Sequence, residues 1–256
     1  MPLTLEVCVE SVESAVAAQS GGADRIELCS ALSEGGLTPS VGLIRSVRVA
    51  TTLDVFAMIR PRGGDFCYSP SEVRIMFDDI EEARSLGADG VVLGALTPDG
   101  DVDMALTAEL IRVARPMKVT FHRAFDLTRD IFRALEDIIA VGADRILTSG
   151  GEYDIVHGTA SISQLVANAR RRIAIMAGGN VRRNNVAQLV AATGVEEVHT
   201  SLRTRLPGPV RYANPRVRLG THMEEHMRYV VREGDVRTLR KKLDAIAAAP
   251  ARCAVE

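Results

Sequence analysis

Two short segments near the start of the chain each place a glutamate and a cysteine two residues apart. The first reads Leu-Glu-Val-Cys, with Glu6 and Cys8, and the second reads Ile-Glu-Leu-Cys, with Glu27 and Cys29. If each segment is a strand, alternate side chains share a face, so each glutamate lies beside its cysteine. Buried carboxylates cost free energy unless they are paired. The pattern therefore predicts that these four side chains form a chemical site rather than ordinary core.

Such a site would suit either of two kinds of chemistry. Thiolates bind soft cations such as Cu(I), which makes Cys8 and Cys29 candidate metal ligands. Carboxylates suit harder metals or acid–base catalysis, which makes Glu6 and Glu27 candidate catalytic residues. Because isolated buried cysteines are usually small apolar side chains, the residues permit a metal without requiring one.

Two histidines fall on predicted strand faces that also carry polar residues. Parity places His122 with a threonine, and it places His199 with Glu197 and Ser201. Imidazole titrates near neutral pH, so both histidines are candidate catalytic acids. Barrel interiors are usually filled by Val, Ile and Leu, which makes this polar interior a signal of a site. The structural alternative is an ion network in which one glutamate pairs with Arg60.

Arginines and glycines follow several of the predicted strands. Arginine beside free backbone N–H groups binds anions, and glycine-rich loops on the late strands of a barrel commonly bind phosphate. Paired glycines also occur in ordinary sharp turns, so the loops alone do not decide between the two roles. The candidate anion-binding residues are Arg60, Arg62, Arg123, Asp126, Ser149, Gly150, Gly178 and Gly179.

The composition argues against several classes of function. Lys and Arg number 31 against 33 Asp and Glu, so no excess of positive charge attracts nucleic acid or an anionic membrane. No apolar run reaches the ~18 residues that a membrane helix needs, and residues 1–9 do not resemble a signal peptide. Four cysteines in 256 residues do not form a disulfide framework. We therefore expect a cytoplasmic protein with reduced thiols and with no nucleic-acid or membrane partner.

A recurring phrase indicates the order of helices and strands. Gly-Ala-Asp begins at Gly22, Gly87 and Gly142, and Gly194 begins a looser copy. Each copy follows an amphipathic stretch and precedes a short apolar run, which is typical of a helix that ends on glycine before a strand. Repeated alternation of this kind predicts a parallel sheet. The predicted strands are 3–9, 25–29, 54–60, 90–94, 117–122, 145–149, 173–177 and 197–201, with helices near 11–20, 39–50, 71–86, 104–115, 129–141, 160–171 and 182–193.

Eight strands with interleaved helices predict an α/β fold of the (β/α)8 TIM-barrel type, with one domain over residues 1–256. An open dinucleotide-binding sheet would need a glycine-rich turn after the first strand, where this chain has none. Residues 202–233 are rich in Pro and Gly, so we expect an irregular loop or flap over the top of the barrel. A final helix is expected near 235–248, followed by a frayed tail at 249–256. Closure of the barrel makes strands eight, one, two and three neighbours, so their polar residues form one sector.

The motifs together resemble the CutC copper-homeostasis family. The resemblance runs in family order from residue 4 to about residue 230, and one local departure is the pair Gly150-Gly151, where relatives often carry a single glycine. It implies a cytosolic (β/α)8 barrel, commonly a homo-oligomer such as a dimer or tetramer, with a link to copper tolerance. It also implies a copper role for the thiols of Cys8 and Cys29, and it brings no settled enzymatic reaction. The segments that carry it are 5–8, 22–29, 34–40, 59–66, 120–126 and 147–150.

Two hypotheses from different classes follow. In the first, the protein handles copper in the cytosol and binds Cu(I) through the two buried cysteines, without turnover. In the second, it is a barrel enzyme that acts on a small anionic metabolite, either phosphorylated or carboxylated, by acid–base chemistry. There Glu6 or Glu27 would be the general base, His122 or His199 the general acid, and Arg60 with Arg123 would bind the anion.

Overall fold

The computed structural model describes residues 2–212, 214, 216–217 and 226–248. Eight parallel strands pair in sequence order and close into a barrel, and helices alternate with them along the chain. The predicted (β/α)8 TIM barrel is therefore confirmed, with each strand within two residues of its expected limits. The strands are β1 (Thr4–Val9), β2 (Arg25–Leu28), β3 (Asp54–Met58), β4 (Gly90–Leu93), β5 (Lys118–Phe121), β6 (Arg145–Thr148), β7 (Ala174–Ala177) and β8 (Glu197–Thr200).

Several of the helices begin where a polar side chain caps the first turn. Ser69 forms a capping box, in which its hydroxyl accepts from the N–H of Glu72 while the Glu72 carboxylate accepts from the N–H of Ser69. Ser11, Ser40 and Asp130 cap other helices in the same way with their side chains. The helices are α1 (Val12–Ser20), α2 (Val41–Ala50), α3 (Pro70–Ser85), α4 (Met104–Ala114), α5 (Ile131–Val141), α6 (Thr159–Ala169), α7 (Val186–Thr193) and α8 (Glu233–Ala248), with short 3-10 helices at Leu32–Glu34 and Arg123–Leu127.

The segment after β8 is more regular than the sequence predicts. Strands β9 (Arg203–Pro207) and β10 (Met227–Val231) pair antiparallel, so the expectation of an irregular segment at 202–233 is wrong for these residues. Several Pro and Gly residues obscured the strands, although β10 is rich in the Tyr and Val that strands favour. The backbone N–H of Val231 donates to Ser14 Oγ at 3.2 Å, so the end of β10 packs against α1 on the outside of the barrel.

The expected final helix is confirmed as α8. The tail at 249–256, which was expected to fray, lies outside the described residues. So do residues 218–225 of the expected flap. Within the described part of the chain, no helix combines the length and the apolar composition needed to cross a bilayer.

The two faces of each barrel strand pack against different partners. Leu5, Val7 and Val9 of β1 are fully buried in the large apolar core, while the alternate residues fill the barrel interior. A Cβ atom on Gly90 would lie 2.3 Å from the Phe56 ring, so the glycine leaves room for that ring in the interior. The faces predicted from strand parity are therefore confirmed for β1.

Register decides which interior side chains meet. Glu6 of β1 lies opposite Arg25 of β2 on one side and opposite His199 of β8 on the other. Cys8 lies opposite Glu27. The neighbouring strands β8, β1, β2 and β3 thus bring the polar residues together in the sector predicted from barrel closure.

Candidate functional site

An ion network fills the N-terminal half of the barrel interior. The Arg25 guanidinium contacts the Glu6 carboxylate and lies 2.7 Å from Glu197 Oε2 through Nη2. Arg145 binds the same Glu197 carboxylate and donates from Nη2 to Oε1 at 3.2 Å. Both guanidinium groups lie over the Phe56 ring, at 5.0 and 5.3 Å from its centre. These charges neutralise one another within the barrel, which is the condition under which buried ions are tolerated.

Glu6 belongs to this network rather than to an open site. Its Oε1 lies 2.7 Å from His199 Nδ1. Glu6 does not line the cavity at the C-terminal ends of the strands, which is described below. Burial raises its pKa, but the Arg25 charge and the hydrogen bond with His199 outweigh burial and lower the pKa to about 2. Glu6 is therefore ionised and fully paired at neutral pH. A role for Glu6 as the general base would require breaking these contacts.

His199 connects the ion network to the second glutamate. Burial lowers its pKa, but the charges of Glu27 and Glu6 outweigh that effect and raise the pKa. Its Nε2 lies 3.8 Å from Glu27 Oε2. The His199 ring thus lies between two carboxylates, which favour its protonated form.

The two cysteines meet directly above the ion network. Cys8 Sγ and Cys29 Sγ are 3.7 Å apart, and Cys29 Sγ lies 3.4 Å from Glu27 Oε2. A disulfide bond would need about 2.05 Å, so both are free thiols. The interaction with Cys29 and burial raise the pKa of Cys8 well above its usual value, and burial raises the pKa of Cys29 to about 12. Both thiols are therefore protonated in the metal-free protein.

The donor set fits a soft metal ion. With a metal–sulfur bond of about 2.3 Å, as for zinc, both sulfur atoms fall within reach of one ion between them. Cys8, Glu27 and His199 offer ligand atoms that all lie within 4.8 Å of one another. Sulfur and imidazole are the ligands that copper prefers. The residues that would hold a metal here are thus the two cysteines, with the glutamate and the histidine beside them.

A cavity of about 450 Å³ opens at the C-terminal ends of the strands, next to the thiols. This is the position of active sites in barrel enzymes. The predicted site residues that line it are Cys8, Glu27, Arg60, His122, Arg123, Asp126 and His199. The predicted residues that do not line it are Glu6, Cys29, Arg62, Ser149, Gly150, Gly178 and Gly179.

Arg60 and Arg62 differ in what they bind. Arg60 is buried and donates to the backbone carbonyl oxygens of Glu34, Gly36 and Gly64 at 2.7, 3.2 and 2.8 Å. The structural alternative in which Arg60 pairs with an interior glutamate is not seen among the described residues: Glu6 and Glu197 pair with Arg25 and Arg145, and Glu27 lies beside His199 and Cys29. Arg62 instead lies outside the cavity, where it pairs with Glu72 and Asp65.

The predicted anion loop after β6 already holds a carboxylate. Asp126 accepts from the backbone N–H groups of Ser149 and Gly151 at 3.0 Å each, and from Arg123 Nε at 2.7 Å. Arg123 Nη2 also donates to Ser149 Oγ at 2.7 Å. The N–H of Gly150 donates to a neighbouring threonine hydroxyl. An external anion would have to displace Asp126, so anion binding at Ser149 and Gly150 stays a prediction.

Gly178 and Gly179 are required by close packing between two loops. A Cβ on Gly178 would lie 2.5 Å from the Leu147 side chain, and one on Gly179 would lie 2.8 Å from Ser149 Cβ. Gly179 also has a φ of +95°, which favours glycine. These contacts explain both glycines without a bound anion, and anion binding by them stays a prediction.

Sequence reasoning missed two residues of the site. Arg145 and Leu147 are two residues apart on β6 and so share its interior face. Strand parity applied to β6 would therefore have found Arg145. Phe66 lies between Arg60 and His122, with the Arg60 guanidinium 4.8 Å and the His122 ring 4.9 Å from its ring centre. No pattern in the sequence indicates this stacking, because Phe66 belongs to an irregular loop.

Comparison with known proteins finds relatives that match most of the chain. A copper homeostasis protein cutC homolog of Mus musculus is 45% identical over 243 residues, which cover 95% of this chain and 89% of the mouse protein. The human homolog of the same name is 45% identical over 237 residues, covering 92% and 87%. A CutC family protein of Bacteroides thetaiotaomicron is 48% identical over 228 residues, covering 88% and 92%.

Solved structures give the same result. A crystal structure of a CutC protein from Streptococcus agalactiae matches with a TM-score of 0.74 and 34% identity, over 77% of this chain and 97% of that one. A thiamine phosphate pyrophosphorylase from Pyrococcus furiosus matches with a TM-score of 0.59 and 17% identity, over 95% and 96%, and shares the fold alone. The model of the CutC family matches residues 3–204. The chain belongs to the CutC family.

Proposed function

We propose that this protein binds Cu(I) between Cys8 and Cys29 and serves copper handling in the cytoplasm. The observation that carries the proposal is the pair of sulfur atoms 3.7 Å apart. They lie beside a cavity through which an ion can reach Cys8. The names of the mouse and human relatives, copper homeostasis protein cutC homolog, support the same function.

The chemistry of the donors favours Cu(I) over harder ions. Two thiols with one imidazole nearby form a soft set, whereas Mg²⁺ and Ca²⁺ require clusters of oxygen ligands. The methionine and phenylalanine that pack on the thiols, Met58 and Phe56, exclude water from them. A dry, sulfur-rich pocket favours a weakly hydrated monovalent ion over a strongly hydrated divalent one.

Binding of the ion must release protons, because thiolates and not thiols are the ligands. Both thiols have a raised pKa in the metal-free protein. We therefore expect the apparent affinity for Cu(I) to increase as the pH rises from 6 to 8, as each thiol that binds gives up its proton.

A competition titration tests the proposal. Cu(I) is added under anaerobic, reducing conditions to the protein and a chromophoric Cu(I) chelator, and the chelator absorbance reports the free ion. We expect one equivalent of tight binding in the wild type, and a loss of at least about tenfold in affinity for Cys8→Ser/Cys29→Ser. The control is Cys67→Ser, which removes a partly exposed cysteine that neither contacts the pair nor lines the cavity among the described residues, and it should leave the affinity unchanged.

Two outcomes would contradict the proposal. One is an affinity no greater than that of a free thiol such as glutathione. The other is an equal loss in Cys67→Ser and in the double variant, which would place the ion elsewhere.

The expected homo-oligomer is part of the same proposal. Apolar side chains in the loops after β5 and β6 support it, because Leu127, Val156 and Tyr153 are 64%, 58% and 88% exposed. Exposed apolar groups of this kind are typical of protein contacts. Light scattering of the purified chain is expected to give the mass of a dimer or tetramer, and the mass of a monomer would contradict it.

A further inference from the structure

Another cavity, of about 480 Å³, lies between the loops that follow β7 and β8 and the first turns of α8. We call it the arginine pocket, because Arg182 and Arg183 line it from the loop after β7 and Arg203 lines it from the start of β9. Asp235 of α8 is the only carboxylate among the described residues of its lining. The lining therefore carries an excess of positive charge, which attracts anions.

Arg182 and Arg183 have no carboxylate partner. Arg182 is half-buried and Arg183 is exposed, and across the described residues no carboxylate oxygen lies within 4.0 Å of either guanidinium group. In the same part of the chain, the Arg182 guanidinium makes one hydrogen bond, from Nη1 to the carbonyl oxygen of Val181 at 3.0 Å. By contrast, Arg123 in the loop after β5 is neutralised by Asp126. Arg182 and Arg183 thus have charge and N–H donors left for a ligand.

Arg203 places a third positive charge at the pocket. Its Nη1 lies 3.2 Å from Glu10 Oε2, so its own charge is partly neutralised. Burial and the nearby charge of Arg203 lower the pKa of Arg182. Even when Glu10 is counted together with Asp235, the three arginines leave one positive charge in excess. Like charges held close together repel, and a bound anion offsets that repulsion.

The backbone that carries the two unpaired arginines is fixed by neighbouring helices. Asn185 Oδ1 accepts from the backbone N–H of Arg182 at 2.8 Å, and the Arg182 carbonyl oxygen accepts from the N–H of Val186 at 3.0 Å. Lys242 Nζ of α8 donates to the Arg183 carbonyl oxygen at 2.6 Å, which also adds an ammonium group next to the loop. A loop fixed in this way loses less conformational freedom when a ligand binds.

We propose that the arginine pocket binds the phosphate group of a small phosphorylated metabolite, through the guanidinium groups of Arg182 and Arg183 and with Arg203 as a further positive charge. The planar guanidinium group matches the oxygens of a phosphate, and it can donate two parallel hydrogen bonds to them. The loops after strands seven and eight frequently bind phosphate in (β/α)8 enzymes. Because Arg183 is exposed, the rest of the metabolite has room to extend into solvent.

This inference does not depend on the copper proposal. It assigns anion binding to arginine side chains at the end of β7 and the start of β9, whereas the sequence predicted it for the glycine loops after β6 and β7 and for earlier arginines. The arginine pocket is also next to the cavity beside the thiols, because Ser201 lines that cavity and Leu202 lines the pocket.

Isothermal titration calorimetry of the copper-free protein tests the inference with glycerol 3-phosphate and with inorganic phosphate, at constant ionic strength. Glycerol lacks the phosphate group, and acetate carries a single charge on two oxygens, so they are the matched comparison compounds. We expect both phosphates to bind with one equivalent. Glycerol and acetate are expected to bind at least about tenfold more weakly, since they lose charge-assisted hydrogen bonds.

Variants assign the binding to the pocket. Arg182→Gln and Arg183→Gln each remove one unpaired guanidinium group, and each is expected to weaken the binding of glycerol 3-phosphate at least about tenfold. The control Arg129→Gln makes the same change of charge at an exposed arginine that pairs with Asp101, and it is expected to bind normally.

A further variant should strengthen the binding. Asp235→Asn removes the negative charge from the lining but keeps an oxygen that can accept from Thr204 Oγ1. We expect it to bind glycerol 3-phosphate about threefold more tightly or better, because the repulsion of the phosphate is gone. A gain in affinity cannot result from misfolding. Asp235→Asn therefore decides if circular dichroism shows that the arginine variants do not fold.

Four results would overturn the inference. The first two are the absence of binding by glycerol 3-phosphate, and binding of inorganic phosphate alone, which would indicate an adventitious ion only. The others are an equal loss of affinity in Arg129→Gln and in the pocket variants, and no gain of affinity in Asp235→Asn. The double variant Cys8→Ser/Cys29→Ser should still bind glycerol 3-phosphate, so failure of the copper proposal and failure of this one are separate outcomes.

Discussion

Glu6 and Glu27 occupy equivalent places in two nearly identical segments, yet their environments are opposite. Glu6 lies between Arg25 and His199 in the register of the strands, whereas Glu27 lies between Cys8 and the apolar ring of Phe56. Burial raises the pKa of Glu27, while cations overcome burial and lower the pKa of Glu6. The first is paired in the ion network, and the second lies outside that network, beside the thiols.

Glu6 should make stability depend on acid pH. Its pKa is about 2 in the folded protein and 4.5 when unperturbed, so its contribution is present above pH 4.5 and is lost as the pH falls toward 2. The contribution is on the order of 3 kcal/mol. Urea unfolding of the wild type and of Glu6→Gln at pH 7, 5, 4 and 3 measures it. We expect the difference between them to shrink below pH 4.5.

The matched control for this series is Glu81→Gln, at an exposed position of α3. It should differ little from the wild type at any of these pH values. A difference between the wild type and Glu6→Gln that stays constant from pH 7 to pH 3 would show that ionisation of Glu6 does not stabilise the fold.

At the scale of elements, the side chains of Asp126 and Arg123 join the β5 and β6 loops. Asp126 follows β5, and its carboxylate accepts two backbone N–H groups from the loop after β6. A carboxylate of the chain itself thus accepts from backbone N–H groups of a glycine-rich loop. The glycines in the sequence do not reveal which acceptor these N–H groups bind, so anion binding there stays a prediction.

Removing that carboxylate should loosen both loops. Asp126→Ala removes the acceptor of two backbone N–H groups, one of them on buried Ser149, and we expect the free energy of unfolding to fall by about 2 kcal/mol. Asp130→Ala, which removes only the cap of α5, should cost about 1 kcal/mol. Thermal or urea unfolding measures both.

The Asp126→Ala variant also has a second readout. Because the variant vacates the backbone donors, added formate should restore part of its stability and should leave the wild type unchanged. An Asp126→Ala protein as stable as Asp130→Ala, with no effect of formate, would contradict this role.

Strand parity predicted much of the site from the sequence. It placed Glu6, Cys8, Glu27 and Cys29 on one interior surface because side chains alternate along any strand. It could not predict which charges pair, since pairing depends on the stagger between strands. The sequence left open a pairing of Arg60 with a glutamate, and in the structure Arg25, which precedes Glu27 on the same strand, binds Glu6 and Glu197.

At the scale of the whole molecule, the barrel interior has two layers. The N-terminal layer is the ion network around Arg25 and Arg145, which is neutralised internally. The C-terminal layer holds the thiol pair and the cavity beside it. The first layer holds the second in place through His199, whose Nδ1 contacts Glu6 and whose Nε2 faces Glu27.

The barrel itself was predictable because its helix–turn–strand phrase recurs along the chain, and each copy is a local signal. The hairpin β9–β10 could not be predicted in this way. Its two strands are separated by about 20 residues, so their pairing leaves no local signal in the sequence. The cavity was not predictable either. It arises from loops after several strands, whose paths depend on contacts such as those of Arg60 with three carbonyl groups.

The most direct test of the copper site is a diffraction experiment at the copper absorption edge. Crystals grown anaerobically with one equivalent of Cu(I) give an anomalous difference map that locates the ion. We expect one strong peak bonded to both Cys8 Sγ and Cys29 Sγ, and no such peak in the Cys8→Ser/Cys29→Ser variant. A peak bonded to neither sulfur, or a fully loaded crystal without a peak at this position, would contradict it.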